Sequence, residues 1–155
     1  MPFLLVKSLH IVGVVLFLGN IITGVFWVMH ASRKGELRAR EQALDGIIAS
    51  DRWFTMPGVT LIVITGVTLA LLAGFPILGT RWILWSLVMF GISGAVFASR
   101  VAPLQKKLLA NVRAGLVGTW DRGEYERLSR SWQIWGSIST LTPIAAVFLM
   151  VMKPG

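Results

Sequence analysis

The sequence predicts an all-α integral membrane protein, a four-helix bundle forming a single transmembrane domain over residues 1–155. Three observations carry this. Hydrophobic residues make up 55% of the chain and charged residues only 14%, against about 25% charged in a soluble domain. Four stretches, near 3–28, 53–73, 82–99 and 132–152, approach or exceed the roughly 20 apolar residues that cross a bilayer. Twelve of the fifteen Lys and Arg residues fall in the two long linkers, 31–52 and 100–130.

The first span carries one charge, Lys7, near its start. Its apolar run is too long for a secretory signal, and no Ala-x-Ala-like site follows, so it reads as a retained helix. Lys7, His10, Gly13, Phe17, Asn20, Gly24 and Trp27 recur at steps of three and four. They share one face, and that face should look inward. The second span has no charge. Its candidate inner stripe is Phe54, Gly58, Leu61, Thr65, Thr68 and Leu72, with Pro57 near its start. The third offers Ser86, Phe90, Ser93, Phe97 and Arg100. The fourth offers Trp132, Trp135, Ser139, Thr142, Ala146 and Leu149, with Pro143 mid-span. Small and hydroxyl residues of this kind serve close packing and hydrogen bonding between helices in lipid.

The linkers have helical patterns of their own. Leu37, Leu44, Ile47 and Ile48 form one apolar face, and Leu104, Leu108, Val112 and Leu116 repeat at four. Such segments suit the membrane surface or a helical extension past it. Asp121 and Glu124 have capping-box spacing at the start of the helix that becomes the fourth span. Trp27, Trp53, Trp132 and Trp135 mark one interface, and Trp82 and Trp85 the other.

An even number of spans puts both basic linkers on one side. The positive-inside rule makes that side cytoplasmic, with both termini and the Gly74–Arg81 turn outside. The expected location is a bacterial inner membrane, multi-pass. The net charge of +8 is then explained by topology and anionic lipid, with no nucleic-acid partner.

The chain has no cysteine, which excludes disulfides, iron–sulfur clusters and thiolate nucleophiles. It has two histidines, His10 and His30. They lie about 30 Å apart along a helix and cannot ligate one iron together. No span contains a carboxylate, which argues against proton relays through Asp or Glu. His10 lies in the outer half of its span. It either hydrogen-bonds to Ser86 or Thr68, or binds a metal or haem iron through one nitrogen while the other donates to a fixed acceptor. His30 reads as a solvated boundary residue. Met89, Met150 and Met152 also fall in the outer half. Methionine can be a sixth haem ligand or a soft copper ligand, or simply fill space.

The opening Lys7-Ser8-Leu9-His10-Ile11-Val12 with Gly19-Asn20, the segment Asp51-Arg52-Trp53-Phe54-Thr55-Met56-Pro57-Gly58-Val59 with Thr65-Gly66, and Trp132-Gln133-Ile134-Trp135-Gly136 before Pro143 resemble a bacterial family of predicted integral membrane proteins of unknown function. More distantly, the layout resembles HemJ-type protoporphyrinogen oxidases and copper-resistance proteins of the CopD type. The resemblance implies a b-type haem held by the histidine of Leu9-His10. Those enzymes pair it with a lysine in the third helix, and at the matching place this chain has Ser86. The haem would then be five-coordinate or use Met89.

The resulting expectation is a small redox protein binding haem b, with His10 as axial and metal ligand. Met89, Ser86 and Asn20 are further cofactor-site candidates, and Thr65 could add a polar contact. Lys7 or Arg81 is better placed than Arg52 or Arg100 to meet haem carboxylates. Exchange with a quinone or another redox partner would be an extension of this reading. The alternative is a non-catalytic accessory subunit, or a copper-handling protein using His10 and methionines. The sequence assigns no reaction. Gly91 and Gly94 suit either packing within the chain or a homo-oligomer.

Overall fold

The computed structural model describes residues 2–153, and among them every regular element is helical. Four long helices form: α1 (Pro2–Lys34), α2 (Leu37–Leu72), α3 (Arg81–Leu116) and α4 (Arg122–Met152). Each is long and apolar enough to cross a membrane, as the sequence predicts. They contain 31 to 36 residues. At about 1.5 Å per residue they run about 46 to 54 Å, against about 30 Å of hydrocarbon. The surplus consists of the linkers. Residues 37–50 and 102–116 are helical extensions of the second and third spans.

Two turns inside the rods are π-helical, Asp51–Thr55 in α2 and Phe97–Val101 in α3. Each begins six residues before a proline, Pro57 or Pro103. Proline has no N–H to give and its ring crowds the carbonyl four residues back. One wider turn takes up that misfit and lets the helix continue. The inward row of α2 differs in part from the expected stripe. Phe54 and Leu72, expected inward, are exposed, and the buried row is Asp51, Thr55, Gly58, Ile62, Thr65 and Ala70.

The helices pair as two antiparallel hairpins, α1 with α2 and α3 with α4. The first turn is Gly35-Glu36, where Gly35 takes φ +80°, a value that favours glycine. The first hairpin closes on glycines. A Cβ on Gly13 would stand 3.1 Å from Ile62 Cγ1, and one on Gly58 would stand 3.3 Å from Phe17. In α3–α4, Pro143 leaves the Ser139 carbonyl without its helical donor. Ser93 Oγ donates to that carbonyl at 2.6 Å, and Ser139 Oγ donates back to the Ser93 carbonyl at 3.1 Å.

The hairpins join through the halves of α2 and α3 nearest the basic loops. This loop end holds the densest apolar core. Leu44, Leu108, Val112 and Trp132 are almost wholly buried, with Ile47, Tyr125 and Leu128 around them. Leu37, Ile48 and Leu104 pack against the same cluster, while Leu116 stays largely exposed. Arg113 pairs with Glu41 at 3.1 Å and Asp45 at 2.8 Å, tying α3 to α2. Asp121 caps α4 by accepting from the Glu124 N–H at 2.9 Å. At the other end, which carries both termini, the hairpins stand apart. A Phe17–Phe90 contact bridges them, with ring centroids 5.5 Å apart.

Candidate functional site: a histidine cleft and a buried carboxylate

Above the Phe17–Phe90 bridge the two hairpins enclose an apolar cleft. Its outer part holds about 430 Å³, and a narrower void of about 70 Å³ continues it inward. α1 contributes His10 and Val14, α2 contributes Gly66 and Ala70, α3 contributes Ile83, and α4 contributes Val147 and Met150. Lys7 and Lys153 line the outer part. Lys153 Nζ lies 5.4 Å from the Trp82 ring centre.

His10 is half-buried on this wall. Its Nδ1 lies 3.0 Å from Thr65 Oγ1. The Thr65 hydroxyl donates its one proton to the Leu61 carbonyl, four residues back. With that proton on Leu61, Oγ1 is the acceptor for the tautomer of His10 that carries its proton on Nδ1. Nε2 keeps its lone pair and has no hydrogen-bond partner among the described residues. Gly66 makes room for the ring, since a Cβ there would stand 3.2 Å from His10 Cε1. Thr68 bonds its own helix at Ile64. The partner of His10 is thus Thr65, one turn from the expected Thr68.

The other sequence candidates divide between places. Ser86 lines the inner void, and its hydroxyl is spent on the Trp82 carbonyl at 2.7 Å. Met89 is half-buried and off the cleft wall, and the methionine on the wall is Met150. Asn20 lies ten residues from His10, about 15 Å along α1. His30 is exposed and stacks on Phe26.

Asn20 belongs to a second polar site that the sequence reading missed. Asp51, assigned to a linker, is 7% exposed. It accepts from Thr55 Oγ1 at 2.8 Å, Asn20 Nδ2 at 3.2 Å and Gln105 Nε2 at 3.2 Å. Asn20 Nδ2 also donates to Thr55 Oγ1 at 2.9 Å. The bundle therefore holds a buried carboxylate two residues before the second span, whose expected bounds, 53–73, contain none. The helix runs unbroken past Trp53 and carries Asp51 against the first span. One signal for it was present in the sequence. Gln105 is the one polar residue in the row Val101, Gln105, Leu108, Val112, which is otherwise apolar.

A family model described as "Predicted integral membrane protein (DUF2269)" matches residues 4–154. No curated protein matches the chain. No solved structure matches it either.

Proposed function

We propose that this chain, which belongs to the DUF2269 family of predicted integral membrane proteins, binds a b-type haem in the His10 cleft and serves as a small membrane redox protein. One observation carries the reading. His10 Nδ1 lies 3.0 Å from Thr65 Oγ1, whose proton goes to Leu61, and Nε2 stands on the wall of an apolar cleft with no hydrogen-bond partner among the described residues. That is the arrangement of metal-ligating histidines, whose second nitrogen is held by an outer partner. The 430 Å³ outer cleft falls in the range of about 300 to 1,000 Å³ typical of small-molecule and cofactor sites. Apolar walls suit a macrocycle, and Lys7 and Lys153 are placed to meet its two carboxylates. The earlier Leu9-His10 resemblance agrees.

The chain's own residues have distinct tasks in this reading. His10 Nε2 would hold the iron. Thr65 fixes the ring's tautomer and tilt, and Gly66 leaves the ring its seat. Met150 is the wall residue available as a sixth ligand, in place of Met89. Phe17 and Phe90 close the inner end against water. The bound group supplies one-electron chemistry. The membrane is that of the bacterial cytoplasm, with the basic loop end inside.

The test is titration of haem into purified protein, followed in the Soret region. The wild type and His30→Ala should bind with equal affinity, and His10→Ala should lose the spectrum. Binding unchanged in His10→Ala would overturn the assignment. A featureless titration, with copper retained by His10 and Met150, would favour the copper-handling alternative.

A further inference from the structure

The Asp51 site has chemistry that the haem reading does not use. A carboxylate buried this deeply is ordinarily paired with a cation. Among the described residues Asp51 has no such partner. In α2, Arg52 points outward and Asp45 is exposed and bound to Arg113. In α3, Arg100 and Lys106 are exposed, and Arg100 lies over the Trp135 ring at 5.2 Å. α1 has no charged residue between Lys7 and Arg33, and α4 has none between Arg130 and Lys153. The partners of Asp51 are instead a hydroxyl and two amides.

Beside it lies a cavity of about 20 Å³, lined by Asp51, Gln105, Trp132, Ser139 and Thr140. Trp132 is 2% exposed, and its Nε1–H has no hydrogen-bond partner among the described residues. An orphaned buried donor costs about 1–3 kcal/mol. A cavity needs roughly 10–15 Å³ of this measure to hold one water. A water held here would have a donor in Trp132 Nε1–H, otherwise without a partner among the described residues, and a further acceptor in Asp51.

We propose that Asp51, Trp132 and the cavity between them form a proton-binding site served by one resident water. The two amides explain why such a site works in both charge states. As a carboxylate, Asp51 accepts from Asn20, Gln105 and Thr55. Once a proton arrives through the water, the carboxyl becomes a donor. An amide turned by half a rotation then offers its oxygen instead of its NH₂. A permanently charged site would be served better by an arginine. The π turn places the carboxylate here, as π turns often do at functional positions. This inference is independent of the cofactor reading.

The test is nuclear magnetic resonance of the full chain in lipid nanodiscs with isotope-labelled tryptophan. The Trp132 indole signal is identified by its loss in Trp132→Phe. The expected result is magnetisation transfer from water to this buried indole proton, and a single step in its shift with pH. Asp51→Asn should abolish the step. Absence of transfer from water, or a step that persists in Asp51→Asn, overturns the proposal. Infrared spectra cover the case in which Asp51→Asn fails to fold. The carboxyl stretch of protonated Asp51 should move in Trp132→Phe, and an unmoved band contradicts a shared water.

Discussion

His10 and Thr65 act as one unit, because the threonine's proton is already spent on Leu61. Thr65→Val keeps the shape and removes the acceptor. Loss of an outer partner of this kind typically costs about 10–100-fold in metal affinity. Haem affinity of Thr65→Val should fall within that range, while Ser86→Ala, whose hydroxyl serves its own helix, should leave it unchanged. Equal affinity in Thr65→Val and the wild type would show that the imidazole is not held this way. His10 was legible in the sequence as the inward polar residue of the first span. Thr65 lay on the expected stripe, but its pairing depends on the rotation of α2, which a linear pattern does not fix. Asp51 was hidden for a related reason. The residues that follow it, Arg52 and Trp53, mark an interface, and only the unbroken helix turns Asp51 inward beside them.

At the scale of the helices, span positions were more legible than the faces the helices present. The α3 stripe and its partner on α4 form largely as read, because Ser86, Ser93, Ser139 and Ala146 keep a regular helical spacing. The α2 stripe keeps Gly58 and Thr65 but differs at its ends, where Thr55 in the π turn faces inward in place of Phe54 and Ala70 in place of Leu72. Close crossings make their own demands. Gly58→Ala places a methyl 3.3 Å from the Phe17 backbone, and overpacking of this kind costs about 1–3 kcal/mol. Thermal unfolding in detergent should show that loss. Gly91→Ala, with open space around its Cβ, should show almost none. Ser93→Ala strands the carbonyl that Pro143 frees, and interhelical hydrogen bonds in membranes average about 0.6 kcal/mol. A smaller loss is therefore expected there, and a large one would mean that the serine pair holds more of the hairpin than its geometry implies.

The whole molecule divides into a packed end and a cleft end. Leu44→Ala or Leu108→Ala in the loop-end core should cost about 2–5 kcal/mol, because both side chains are almost fully enclosed. Val151→Ala, 76% exposed at the other end, should stay within about 0.5 kcal/mol. Equal losses at both ends would deny the division. The absence of native cysteine makes the orientation directly measurable. Leu78→Cys in the short turn should react with an impermeant thiol reagent on intact cells, and Val117→Cys in the basic loop should react only after permeabilisation. The reverse pattern would invert the topology. Hydropathy made the four spans legible. The division into two ends was not, because the linker leucines suited a membrane-surface helix and a helical extension equally well.

The central claim is that the cleft holds a haem on His10. The most direct measurement is the reduced-minus-oxidised visible spectrum of membranes carrying the chain, recorded beside membranes carrying His10→Ala at equal expression. The account requires Soret, α and β bands in the first and their loss in the second. Identical spectra from the two, or no bands in either under ample haem supply, would contradict it.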